Sequence, residues 1–193
     1  MLVENQKLAE FAALVSSGDV RPFEGPLKVG VDLGTANIVM AVTDQDNRPV
    51  AGMTTHSTVV RDGIVVDVGG GTTGISILRD GKVVYTADEA TGGTHMTLVL
   101  SGYYDIGRDE AEKMKLDASQ EQAVFPIVYP VVEKMASIVK RFVDGRQVKD
   151  LYVVGGACCF SEFENVFEKI LHIPTHKPND CLFVTPLGIA VNQ

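Results

Sequence analysis

Basic residues are outnumbered in this chain. Lys and Arg total 17 against 25 Asp and Glu, giving a net charge of -8 and a pI near 4.9. Non-specific binding to a nucleic acid needs a field of Lys and Arg, so that class of partner is excluded on charge. A small nucleotide carried with its magnesium is not excluded, because backbone amides and a cation hold it. Cysteine is scarce as well, with three in 193 residues. Cys158 and Cys159 are adjacent and Cys181 stands apart, which is neither a disulfide framework nor a zinc spacing. A reducing cytosol is the expected compartment, and the vicinal pair reads as buried apolar filler. No run approaches the ~20 apolar residues of a membrane span. The opening MLVENQKLAEF carries Glu4 and Glu10 and lacks the basic-then-apolar order of a secretory leader. Neither GxxxxGK[ST] nor a GxGxxG between strand and helix occurs, and there is no GxSxG elbow. His172 and His176 are four apart, but Pro174 between them rules out a helical zinc pair.

What is present is an ordinary globular composition, 45% apolar and 22% charged, long enough for one domain or two small lobes. Leu8, Phe11, Ala12 and Val15 recur at helical spacing and predict a short amphipathic helix over 4–16, followed by a linker, RPFEGP. Lys28–Asp32 and Ile38–Thr43 read as strands around a tight turn, with a weaker strand over Val50–Val60. Ile64–Val68 and Gly74–Leu78 flank a triple glycine, and Asp80–Gly81 makes a hairpin to Val83–Ala87. Helices are expected over Thr97–Leu100, Gly107–Lys115, from Val131 to Phe142, and over Phe163–Leu171. Of these, the helix from Val131 carries an apolar stripe, with Lys134, Lys140 and Arg141 facing out. Leu151–Val154 reads as a buried strand, Asp180–Val184 as extended, and Pro186–Val191 as a last helical turn. Alternating strands and helices in the second half favour a mixed α/β sheet.

Two segments share one design: an apolar strand ending in Asp, a glycine turn, a hydroxyl residue and a second strand. They are VGVDLGTAN (Asp32, Gly34, Thr35) and IVVDVGGGTTG (Asp67, Gly69, Gly70, Gly71, Thr72, Thr73). Glycines let successive N–H groups converge on an anion. An Asp at a strand end holds a divalent cation, usually through water, since Mg keeps much of its hydration shell. Two such hairpins facing one another clamp a polyphosphate. A third glycine pair, Gly155–Gly156, follows a buried strand, where a flat base can slide against bare backbone.

This constellation resembles the actin, sugar-kinase and heat-shock-70-type chaperone superfamily, and within it the chaperone-like proteins of bacterial ethanolamine utilisation. The resemblance runs from Lys28 to the C-terminus. DLGTAN and DVGGGTTG are similar to the two phosphate loops, and ATGGTHMT to the segment that follows the second in the chaperones. AEKMK is similar to a helix that touches the nucleoside in bacterial actins, LYVVGGACCF to the adenosine motif, and FVTPLGIAV to a terminal helix that returns to the first lobe. The resemblance implies an α/β, actin-like ATPase (ribonuclease-H-like) fold with a truncated first lobe. The expected division is helix and linker over 1–26, first lobe over 27–62 and second lobe over 63–193. It also implies ATP and Mg as ligands. Asp32 and Asp67 then position Mg through waters. Gly34, Thr35, Ala36 and Asn37 face the terminal phosphates from one lobe, and Gly69, Gly70, Gly71, Thr72 and Thr73 from the other. Gly92 and Gly93 lie near ribose and phosphates, Glu112 and Lys115 approach the nucleoside, and Gly155 and Gly156 flank the adenine.

The chain departs from the family pattern between the two phosphate loops. The family places a crossover helix, a further subdomain and a connecting helix there, with a catalytic Lys and the residue that orients the attacking water. Here Asp32 and Asp67 are 35 positions apart, and a crossover of about 10–12 residues has no room after Arg61. Cys159 stands where the chaperones stack an Arg on the adenine. The expected function is therefore ATP binding by a chaperone-like protein of ethanolamine utilisation, with weak or no hydrolysis. The partners implied are ethanolamine-utilisation enzymes or microcompartment shell proteins. The alternative is a nucleotide-independent scaffold that docks the shell through the helix at 4–16.

Overall fold

The computed structural model describes residues 25–33, 38–46 and 62–191. The docking helix expected over 4–16, the turn Gly34–Asn37 and the strand expected over 50–60 lie outside them. The described elements are, in order, β1 (Lys28–Leu33), β2 (Ile38–Thr43), β3 (Gly63–Val68), β4 (Thr73–Arg79) and β5 (Lys82–Glu89), then helices α1 (Gly93–Tyr104), α2 (Arg108–Leu116) and α3 (Glu121–Val143). Strand β6 (Leu151–Val154), helix α4 (Phe163–Leu171), strand β7 (Thr175–His176) and helix α5 (Val184–Val191) complete the chain. They form two units: β1, β2 and α5 in one, β3 to β7 with α1 to α4 in the other.

In the first unit β1 and β2 pair antiparallel, with Val29 opposite Val42 and Asp32 opposite Val39. A lone hairpin is marginal in water, and α5 supplies its cover. A Cβ on Gly30 would run into the Pro186 carbonyl and the Ala190 nitrogen, so glycine is what lets strand and helix backbones meet. The extended reading of Asp180–Val184 is corrected here: Cys181–Phe183 is a 3-10 turn and Val184 opens α5. Pro186 falls in the first turn of that helix, where a missing N–H leaves no bond unmade. The linear division at residue 62 keeps α5 with the second lobe, whereas its contacts group it with the hairpin.

The second unit is built on a five-stranded sheet ordered β5-β4-β3-β6-β7. Strands β3, β4 and β5 are antiparallel neighbours, and β3, β6 and β7 run parallel. Ile64, Val66 and Val68 alternate into the core from β3, and Ile75 and Ile77 from β4. The β4–β5 hairpin turns at Asp80 (φ 52) and Gly81 (φ 74), both left-handed, as a two-residue turn between twisted strands requires. α1 is longer than the expected Thr97–Leu100 and buries Gly93, Met96, Thr97 and Leu100 at i, i+3, i+4, i+7.

Helix α3 also differs from the sequence reading, which starts it near Val131. It begins at Glu121 and runs through Pro126 and Pro130. The two prolines sit four apart on the exposed face, so the lost hydrogen bonds fall on one water-accessible side. The opposite face buries Val124, Val128, Val132, Met135, Ala136, Val139 and Val143. At ~1.5–3 kcal/mol per buried side chain that outweighs the proline penalty. The expectation that no run approaches a membrane span is corrected on length and composition alone, since Ala118–Val143 is apolar enough to cross one. The seven buried side chains account for that apolar character as core packing.

Candidate functional site

β3 and β6 are parallel, with Asp67 opposite Val154, so both strands end at one edge of the sheet. That carboxyl edge is where open α/β sheets hold ligands. The turn at Gly69–Gly71 leaves β3 there, and the turn at Gly155–Gly156 leaves β6. The N-terminus of α1 arrives at the same place. Gly93 N–H donates to the Gly69 carbonyl at 2.9 Å and Thr94 N–H to the Gly70 carbonyl at 2.8 Å. The loop carbonyls thus take donors that a helix start leaves unpaired.

Asp67 is half-buried. Gly155 has φ 93, and a Cβ on it would press on the Asp67 carboxylate and the Val68 carbonyl. The carboxylate therefore lies directly against the glycine turn of the neighbouring strand. Thr72 is exposed at the rim. Thr73, by contrast, is fully buried and donates its hydroxyl to the Thr91 carbonyl at 2.8 Å, tying β4 to the turn before α1. His95 is exposed, and its Nδ1 accepts the Gly92 N–H at 3.2 Å, so it caps the helix.

Glu112 and Lys115 enter from α2 as a pair. The Lys115 side chain is 8% exposed, and its Nζ donates to Glu112 Oε2 at 2.7 Å, Thr97 Oγ1 at 2.9 Å and the Gly93 carbonyl at 3.2 Å. The Thr97 hydroxyl also lies on the Glu112 carboxylate. A buried ammonium with this many acceptors is held in one place. Lys115 lines a cavity of about 260 Å³ together with Asp117, Glu121, Gly156, Cys159, Phe160 and Leu182. That volume is near the lower limit of ~300 Å³ for small-molecule pockets. Two other hollows, of about 300 and 390 Å³, border neither glycine turn.

The structure therefore brings together Asp67, Gly69, Gly70, Gly71, Thr72, Gly92, Gly93, Glu112, Lys115, Gly155 and Gly156 around the end of one sheet. Asp32 lies half-buried on β1 in the other unit, and Gly34, Thr35, Ala36 and Asn37 fall outside the described residues. The sequence reading missed Thr97 and Asp117. Asp117 accepts from the Ser119 hydroxyl at 2.6 Å, the Gln120 amide at 2.9 Å and the Ser119 N–H at 3.0 Å. These bonds hold its carboxyl below the usual value. The Asp-x-Ser spacing was the available signal. The expectation of buried filler is also corrected for the cysteines: Cys158 and Cys181 are buried, but Cys159 is exposed on the cavity wall.

A family model described as type IV pilus assembly protein PilM matches residues 49–183. The ethanolamine utilization protein EutJ of Escherichia coli K12 is 34% identical, covering 86% of this chain and 86% of that protein. The alignment spans 241 positions, more than the 193 residues available, so it opens gaps opposite this chain. The crystal structure of EutJ from Carboxydothermus hydrogenoformans superposes with a TM-score of 0.83 at 33% identity, over 97% of this chain and 98% of that one. Ta0583, an archaeal actin homolog in complex with ADP, gives 0.56 at 20% identity, over 69% of this chain and 51% of that one. The fold is thus the mixed α/β fold of actin-like ATPases. By identity and coverage, the chain belongs to the EutJ family, and with it to the wider group that the PilM model describes.

Proposed function

We propose that the chain binds Mg-ATP at the carboxyl end of β3 and β6 and serves ethanolamine utilisation as a chaperone-like protein in the cytosol, with hydrolysis weak or absent. The observation that carries this reading is the buried Lys115 ammonium, held by Gly93, Thr97 and Glu112 beside a cavity that Gly156 borders. The 260 Å³ volume fits a nucleoside, with the bare backbone of Gly156 on one wall and Lys115 on another, Gly155 lying behind Gly156 and Glu112 holding Lys115. The glycine loop Gly69–Gly71 then faces the phosphates. Among the described residues, no three His, Cys, Asp or Glu side chains are grouped to hold a metal. Magnesium in this reading arrives with the phosphates, and Asp67 orients its waters. The ion supplies charge neutralisation for a triphosphate that an acidic protein otherwise repels.

Weak hydrolysis follows from what the loops lack. Phosphoryl transfer depends on positioning and charge stabilisation, and the water-orienting residue of the family has no counterpart between Asp32 and Asp67. The gaps in the EutJ alignment are consistent with a missing segment. The proposed clients are ethanolamine-utilisation enzymes or shell proteins. A thermal-shift titration tests the binding half: the melting temperature is expected to climb with Mg-ATP through the millimolar range by mass action. A flat curve would favour the scaffold that needs no nucleotide. Phosphate release assayed beside full-length E. coli EutJ tests the other half, and turnover equal to it contradicts the proposal.

A further inference from the structure

We propose that Cys159 and Cys181 form a reversible dithiol–disulfide pair that closes on the wall of the candidate nucleoside cavity and lowers its affinity for nucleotide. The effect on nucleotide rests on the reading above, whereas the pairing itself stands on geometry alone. The two sulfurs are 3.4 Å apart although 22 positions separate them in sequence. A disulfide needs about 2.05 Å, so a further approach of roughly 1.4 Å completes the bond. Backbone already joins the two turns, since Gly155 N–H donates to the Cys181 carbonyl at 2.9 Å. Cys159 is exposed and open to a solution oxidant, while Cys181 is buried behind it. The third thiol, Cys158, is buried, lies on the Gly155 carbonyl at 3.1 Å and also neighbours Cys181, so the test must tell the two possible links apart.

Position gives the bond its consequence. Cys159 lines the cavity on one turn, and Leu182, next to Cys181, lines it on the other. A Cβ added to Gly156 would already stand 3.1 Å from Leu182. Drawing the two turns together by a covalent bond narrows the gap where a flat ring would enter. The chemistry takes a low-molecular-weight disulfide as oxidant. The Cys159 thiolate attacks one of its sulfurs, forming a mixed disulfide and releasing one thiol. The Cys181 thiolate then attacks the Cys159 sulfur and releases the second thiol. Two electrons pass from the protein to the oxidant, and the two protons end on the released thiols. The Cys158 thiol beside it, with burial, pushes Cys181 up to about 12, and the Cys181 thiol and burial raise Cys159, against the cation of Lys177. Exchange is therefore slow at neutral pH, and the pair answers a sustained oxidising poise rather than a brief pulse.

The test uses the full chain and oxidised glutathione. Free thiols are expected to fall from three to one, with a mass loss of two hydrogens, no glutathione adduct, and a peptide cross-link joining Cys159 to Cys181. The Cys181→Ser variant is expected to stop at a glutathione adduct on Cys159. Retention of all three thiols, a stable adduct on the wild type, or a link through Cys158 would overturn the pairing. Mg-ATP affinity, measured on reduced and oxidised protein, is expected to drop about fivefold or more on oxidation and recover with reductant. Equal affinities in the two states would overturn the effect on the cavity. If the reduced protein binds no nucleotide while the cross-link forms, the nucleotide reading and the effect on affinity fail together, and the pairing stands.

Discussion

Gly155 carries two demands at once. Its backbone sits at φ 93 and ψ 164, a region open almost solely to glycine, and its missing side chain leaves room for the Asp67 carboxylate. Gly155→Ala adds strain of ~1–3 kcal/mol and an overpacked contact of comparable size. A loss of about 2–4 kcal/mol in unfolding free energy is expected in a urea titration, and a loss below about 0.5 kcal/mol would show that the turn relaxes freely. The sequence marked the glycine pair after an apolar strand, but as backbone for a flat base to lie on; its closeness to Asp67 needed the pairing of β3 with β6. The roles of Thr73 and His95 were not legible in advance. A threonine after a glycine turn reads the same whether its hydroxyl meets a ligand or the carbonyl of Thr91, and only the pairing of β4 with the turn before α1 decides it. His95 likewise turns back on Gly92 to cap its helix, which no spacing rule separates from a histidine pointing at a phosphate.

Among the elements, the β3–β4 and β4–β5 hairpins followed directly from glycine and Asp-Gly turns between alternating strands. The helix α4 was equally plain, with Phe163, Val166 and Phe167 on one face. α3 was read at half its length, from the stripe after Val131, and the segment before it holds two prolines that local propensity disfavours in a helix. The buried stripe from Val124 to Val143 overrides them, and that stripe becomes visible only once the helix has a sheet to lie on. The proline cost remains in the folded state. Replacing Pro130, which is exposed, by Ala restores a donor to the carbonyl of Pro126 and removes a ring clash. Part of that gain is offset by a looser unfolded chain. The Pro130→Ala variant is expected to gain about 1–2 kcal/mol in unfolding free energy, read as a raised denaturant midpoint at unchanged slope. A lowered midpoint would mean that α3 needs its proline to fit the sheet.

Across the whole molecule, an acidic chain divides into a small hairpin unit and a larger unit whose glycine turns meet at one edge of its sheet. The β1–β2 hairpin is too small to fold unaided, and α5 closes over it from the far end of the sequence. That dependence was foreseeable from the shortness of the lobe, whereas which segment would meet it was suggested only by resemblance. The glycine turns of the larger unit converge because β3 and β6 are parallel, a long-range pairing that no local pattern specifies. The most direct measurement is calorimetric titration of Mg-ATP into the wild type beside Asp67→Asn, a substitution that keeps the side chain's shape and removes its charge. The account predicts saturable binding of one nucleotide per chain, weakened about tenfold or more in the variant, in line with a lost charge-assisted contact. An absence of binding heat up to millimolar Mg-ATP, or equal affinities for the two proteins, would contradict it.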